Sequence, residues 1–308
     1  MPLPRPILSV TIAPADSADR GRLHAALTVL SDADPDLSVS VEPSSSITKI
    51  FGQSLAQLEA VCQRLDDEHH IPLAFAMVQV MCVETIRRSA EAEGKYIRQT
   101  GGSGNYGHVK LRLEPGEQGK GIQLFSEIKG GVIPPHFIPP IEAGIREAAE
   151  GGILAGHPLV DLCVTLYDGS FHEMDSNDLA FRIAASQAFQ AAARNALPIV
   201  LEPVMTVVFT VPESKLSATK GEIRARRGRV ATTSIVREIA VISAAIPLAE
   251  MLRNSGPKPT TMVFDSFQPV SADRDDAEPS GFAVRNPKGP KPMTGSAAAD
   301  LDNDSDWT

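Results

Sequence analysis

The feature that most constrains this chain is a change of hydrophobic period that runs in one fixed order through its first eighty residues. Residues 7–14 (ILSVTIAP) alternate apolar and polar side chains, the period of two of a half-buried strand. Asp16 and Ser17 then offer N-cap oxygens. Leu23, Ala26, Leu27 and Leu30 follow at helical spacing until Asp34-Pro35 stops the pattern. Residues 37–43 and 47–52 read as a hairpin around three serines, and Leu55, Leu58, Val61, Cys62 and Leu65 make a second helical stripe. A further strand runs from Ile71 to about Val83. The order βαββαβ is that of a ferredoxin-like sandwich.

Beyond Gly94 the turns become denser. Three strands are expected in GKYIRQTG, GHVKLRLEP and GIQLFSEIKGG, then a helix in which Ile141, Ile145 and Ala148 or Ala149 keep helical spacing. A strand over residues 159–171 leads into the helix of SNDLAFRIAASQAFQAAARNA. Ser176 and Asn177 serve as its caps, and Asp178 sits in the first turn, where the helix dipole favours a negative charge. From Val204 the βαββαβ theme returns, with its second helix squeezed into residues 248–253. The last residues, from Asp273, are rich in Pro, Gly, Ser and Asp without periodicity and are expected to be disordered.

Composition narrows the function classes. The 308 residues carry 29 Lys and Arg against 38 Asp and Glu, a formal charge of −9, and this acidic total argues against indiscriminate binding to nucleic acid. It leaves room for local basic patches. No apolar run approaches the ~18 residues of a spanning helix, and the amino terminus lacks a signal sequence, so a cytoplasmic protein without membrane partners is expected. Cys62, Cys82 and Cys163 are scattered, with no CxxC pair, and are expected to be small core residues rather than disulfide or zinc ligands. No cofactor or metal is expected.

Three local patterns bear on chemistry. Gly102-Ser103-Gly104-Asn105-Tyr106-Gly107 matches GxGxxG literally, but that fingerprint works only where a helix N-terminus follows and receives a pyrophosphate. Here His108-Val109-Lys110-Leu111-Arg112-Leu113 alternates as a strand, so a glycine-rich hairpin is expected. No GxxxxGK[ST] loop occurs, and the chain is expected not to be an enzyme that hydrolyses GTP or ATP. His172-Glu173-Met174-Asp175 precedes the capped helix; with no further ligand at metal spacing, it reads as an exposed loop that contacts a partner. Arg224, Arg226, Arg227 and Arg229 straddle Gly228 at a helix end. They read either as dipole-compensating cations with Gly228 at C′, or as a phosphate-contacting patch. Lys95, Arg98, His108 and Lys110 gather around the glycine hairpin, where slender backbone and cations suit approach to RNA.

EGKYIRQTGGSGNYGHVKLRLEP, the long stretch from GGVIPPHFIPP to LPIVLEPVM, and IRARRGRV followed by IPLAEM together resemble the carboxy-terminal half of bacterial elongation factor G, the ribosomal translocase. The resemblance runs from about Pro4 to Val270. It implies an α+β protein: two ferredoxin-like domains, residues 5–84 (domain III) and 204–272 (domain V), flanking an elongated domain IV of ribosomal-protein-like fold over 85–203, with a tail at 273–308. It also implies that the tip of domain IV enters the decoding centre beside transfer RNA and messenger RNA. The tip loops correspond to residues 101–107 and 170–176, including Ser176, and His172 stands at the family's tip histidine.

Departures from the family pattern fall elsewhere. The resemblance contains no GTPase portion, and Met1 stands where domain III would begin. In IFGQSLAQLE, Gly52, Leu58 and Glu59 are kept, but Ser54, Leu55 and Gln57 replace Gly, Glu and His; a polar turn has become Ser44-Ser45-Ser46-Ile47-Thr48, and the charged loop of domain V is shortened to residues 252–259. The expected partner is the ribosome, through ribosomal, transfer and messenger RNA, with modulation of elongation as the role. The alternative is one part of a split or truncated translocase working with a separate GTPase half.

Overall fold

The computed structural model describes residues 6–41, 47–100, 103–253, 258–270 and 281–283. It is a mixed α+β protein whose described residues divide into two compact units, one containing residues 6–81, 252–253 and 281–283, the other beginning at Cys82.

In the first unit, β1 (Leu8–Pro14), α1 (Arg20–Ala33), β2 (Ser38–Val41), β3 (Thr48–Gly52), α2 (Leu55–Asp67) and β4 (Leu73–Val80) give a sheet in the order β4-β1-β3-β2, every pair antiparallel. This is the ferredoxin-like order. Asp16 accepts the amide of Ala18 and so caps a short 3-10 turn, Ser17–Asp19, that leads into α1; Ser54 caps α2 by accepting the amide of Gln57, and the buried stripes are Leu23, Ala26, Leu27, Leu30 and Leu58, Val61, Leu65. One expectation is corrected. β1 is buried along its whole length, Ser9 and Thr11 included, because it is a central strand flanked by β3 and β4. The hairpin serines Ser44, Ser45 and Ser46 lie outside the described residues.

In the second unit, β5 (Val83–Ile86), β6 (Ala90–Thr100), β7 (Ser103–Pro115), β8 (Ile122–Ser126), α3 (Ile138–Glu150), β9 (Leu162–Ser170) and α4 (Asp178–Asn195) come first. Next are β10 (Pro198–Pro212), α5 (Leu216–Ala225), β11 (Arg229–Val236), β12 (Ile239–Pro247), α6 (Leu248–Arg253) and β13 (Thr261–Pro269). One sheet runs β6-β7-β9-β8 with β8 parallel to β9; the other runs β11-β12-β10-β13, again the ferredoxin-like order, and β5 pairs with the start of β10. Asn177, rather than Ser176, caps α4 by accepting the amide of Ala180.

α4 controls how closely the first of these sheets can pack. It buries Ala180, Phe181, Ala184, Ala185, Ala188, Phe189, Ala192 and Ala193. With so many alanines its backbone comes near its neighbours, and three glycines receive it. A Cβ on Gly94 of β6 would stand 2.0 Å from the Ala184 carbonyl oxygen, one on Gly107 of β7 2.4 Å from that of Ala180, and one on Gly144 of α3 2.2 Å from that of Arg182. These distances are too short for any side chain.

The expectation of disorder over residues 273–308 falls outside the described residues except at Gly281–Ala283. Those three residues depart from it by pairing antiparallel with Met77, Val78 and Gln79, satisfying backbone groups on the open edge of β4.

Candidate nucleic-acid interface

Residues 103–107 do not form a loose glycine loop. They are the first part of β7, paired one to one with β6 as far as Thr100 opposite Ser103; Gly102 lies outside the described residues. The continuation of β7 to Pro115 disposes of a dinucleotide site, since no helix follows the glycines. Gly104 is not in the left-handed region. It is needed for space: a Cβ there would lie 2.7 Å from the Asp175 carboxyl carbon.

That contact belongs to a dense junction between segments seventy residues apart. Gly104 N–H donates to Asp175 Oδ1 at 3.0 Å, Tyr106 N–H to the Asp175 carbonyl at 2.8 Å, and Ser176 Oγ to the Tyr106 carbonyl at 3.0 Å. Asn177 Nδ2 donates to Asn105 Oδ1 at 2.7 Å. His172 is tied within its own loop: its N–H donates to Ser176 Oγ at 2.9 Å, its Nδ1 lies 3.2 Å from Asp175 Oδ2, and its exposed ring is 6.3 Å from that of Tyr106. The two segments singled out in the sequence therefore meet at one end of the sheet. Glu173 is exposed and Met174 is 86% exposed.

The cations divide into committed and uncommitted. Lys110 pairs with Asp168 at 2.8 Å, which raises its pKa and lowers that of Asp168. His108 Nδ1 shares Ser170 Oγ with the Tyr106 hydroxyl, each at 2.8 Å, while its Nε2 lies 3.5 Å from Glu93. Lys95 and Arg98 on β6 are exposed and form no ion pair among the described residues. They flank Ile97, 59% exposed.

At the arginine run two residues of four are tied to partners inside the protein. Arg226 is 4% exposed and reaches Glu222 and Met251. Arg227 grips Glu202 with both terminal nitrogens, at 2.6 and 3.0 Å, and donates Nε to Glu250 at 3.0 Å; these partners, led by Glu202, push its pKa up. Neither is a free phosphate ligand. Arg224 is exposed, and Arg229, also exposed, touches Gln268. The cap also differs from expectation. Arg227 itself occupies C′, with φ +54°, and donates its N–H to the Arg224 carbonyl, while Gly228 at C″ donates to Ile223. A Cβ on Gly228 would meet the Ile223 carbonyl oxygen at 2.7 Å, which explains the glycine one position later than read.

Because Glu202 is 2% exposed, Arg227→Ala leaves a buried carboxylate without its main partner. The expected cost is about 3–5 kcal/mol by chemical denaturation. Arg224→Ala, which removes an exposed cation, is expected to stay within about 0.5 kcal/mol.

The cysteines are half-buried rather than core, and none forms a disulfide. Burial, with Glu59 adding to it, pushes the Cys62 thiol up to about 12. Among the described residues no group of three or more His, Cys, Asp and Glu side chains could hold a metal, and no helix is long and apolar enough to cross a membrane.

Sequence reasoning missed Glu84 and Glu202. Glu84 is fully buried, and its carboxylate accepts the amides of Ile153, Leu154, Ala155 and His157. The available signal was a lone carboxylate inside an apolar strand (CVETI, VLEPV), which a fold tolerates only where donors are waiting.

Comparison with known families gives two matches: Elongation Factor G, domain III, over residues 3–76, and Elongation factor G, domain IV, over residues 78–197. Among solved structures, a crystal structure of a protein from Thermus thermophilus superposes with a TM-score of 0.67 at 36% identity, over 89% of this chain. The chain spans 42% of the length of that protein.

Proposed function

Because the chain belongs to the elongation factor G family, carrying its domains III and IV over residues 3–197, we propose that it is a ribosome-binding translation factor that presents the β6–β7 end of domain IV to RNA near the decoding centre. Residues 204–272 act in this reading as domain V. The carrying observation is the junction itself: Asp175 and Ser176 lock the His172 loop onto Gly104 and Tyr106, holding two loops rigidly together, while Lys95 and Arg98 beside them form no ion pair among the described residues. A rigid, slender end with uncommitted cations suits insertion between RNA backbones, because phosphate affinity comes from cations not already neutralised by the protein. No phosphate-cradling loop is present in this chain, so the reading is of a module that modulates elongation, not one that turns over GTP.

The test is co-sedimentation with ribosomes across a salt series, with and without full elongation factor G as competitor. Lys95→Glu combined with Arg98→Glu is expected to weaken binding at least tenfold and to lower the slope of log affinity against log salt by about 2. His172→Ala is expected to weaken binding while leaving the melting temperature unchanged, because its side chain is 57% exposed. Unchanged binding in both variants sinks the proposal. If binding appears only when a separate GTPase half is supplied, the split-translocase reading replaces it.

A further inference from the structure

The outer strands of the second unit's two sheets are not equally protected. β6 carries Glu91, Glu93, Lys95 and Arg98; β8 has five residues; β13 carries Asp265 and ends in Pro269. Charges, brevity and proline are the devices that keep sheet edges from pairing with other chains. β11 (Arg229–Val236) has none of them after its first residue. Val230-Ala231-Thr232-Thr233-Ser234-Ile235-Val236 is uncharged and rich in β-branched side chains, and Thr232 to Val236 are all exposed.

This edge is also held in shape. β11 and β12 are joined by Arg237 and Glu238, both at positive φ (50° and 63°), as a tight two-residue hairpin turn requires, and the Glu238 carbonyl accepts the Glu213 amide at 2.8 Å. The pair closing such a turn, Val236 with Ile239, is hydrogen-bonded, so Ser234 and Thr232 also direct their backbone groups toward β12. Thr233 and Ile235 therefore direct theirs outward. The irregularity between Val230 and Thr232 ends the regular edge on the other side.

We propose that β11 is a self-association edge, on which a second copy of this chain pairs antiparallel about a two-fold axis at Ser234. That register sets Thr233 opposite Ile235, both with outward backbone groups, and Thr232 opposite Val236, so no like charges meet. Moving the axis one residue, to Thr233, would bring Arg229 opposite Arg237, and their repulsion selects against it. A self-complementary strand suits an identical partner, since an isologous interface uses the same patch twice. Five paired residues a side make a small interface, so the dimer is weak.

Sedimentation equilibrium of the full chain from low micromolar to several hundred micromolar reads this directly. The wild type is expected to shift from monomer to dimer. Ile235→Lys and Thr233→Lys are each expected to raise the dissociation constant at least tenfold with unchanged circular dichroism, whereas Val263→Lys on β13, 64% exposed, leaves it unchanged. Ser234→Cys, oxidised with diamide, is expected to give a disulfide-linked dimer, because Ser234 faces its own copy; Thr261→Cys on β13 is expected to stay monomeric. A wild type that is monomeric throughout, a Val263→Lys effect as large as that of Ile235→Lys, or no cross-link through Ser234→Cys overturns the proposal.

Discussion

Gly94→Ala is expected to cost the second unit about 3 kcal/mol or more, the upper end of overpacking substitutions, and to lower its melting temperature by roughly 6–12 °C. The added methyl would stand 2.0 Å from the Ala184 carbonyl oxygen and 2.7 Å from the Ala188 amide nitrogen. Both are helix backbone, which cannot swing aside as a side chain does. α4 must lift as a whole, loosening the contacts of Phe181 and Phe189, both fully buried. Gly221 in α5 is the control, since a Cβ there meets nothing within 4 Å. Gly221→Ala is expected to stabilise by about 0.5–1 kcal/mol, because it removes only the entropic cost of a helical glycine. Two glycine-to-alanine changes in one unit with opposite signs separate packing from propensity; equal signs contradict the account.

Glu84→Ala is expected to destabilise by about 3–5 kcal/mol. It strips the partner from four amides at 2.6, 2.9, 2.8 and 3.2 Å and leaves a space where the side chain was fully buried. Glu84→Gln is expected to recover less than half of this, because its NH2 group would face two N–H donors. Hydrogen exchange of the amides at 153–157 is expected to accelerate in both, and unchanged exchange there contradicts the role. The same loop carries a pH dependence. Burial lowers the pKa of His157, with Glu84 opposing, so the folded state prefers the neutral ring while the unfolded chain takes up a proton near 6.5. Stability from this group is full above that value and is lost as pH falls below it. Removing the opposing charge in Glu84→Ala lowers the folded value further, so the variant is expected to lose stability more steeply between about pH 6.5 and 5. His157→Asn is expected to flatten the slope.

What the sequence determined by itself was everything set by neighbours within a few positions. The βαββαβ orders followed from hydrophobic period, and the starts of α2 and α4 from Ser54 and Asn177, whose side chains reach amides three residues on. The strand character of residues 108–113 was enough to set aside a literal GxGxxG match. The tip segments were also legible, as residues, through their resemblance to a family.

Only the tertiary structure decided what those residues are for. Gly94, Gly107 and Gly144 are demanded by the backbone of α4, whose contacting residues lie between 38 and 94 positions away, and a local window carries no record of that approach. Gly104 read as part of a slender glycine hairpin and proved to be room for Asp175. Four arginines of one run look alike in sequence. Arg226 and Arg227 are withdrawn from any outside partner by Glu222, Glu202 and Glu250, while Arg224 and Arg229 stay at the surface. β1 alternates like a half-buried strand, yet is buried throughout, because strand order and not strand sequence puts it in the middle of its sheet. The physical reason is common to all of these. Period and capping are short-range and repeat along the chain, whereas steric room and charge neutralisation depend on the one group that folding brings opposite.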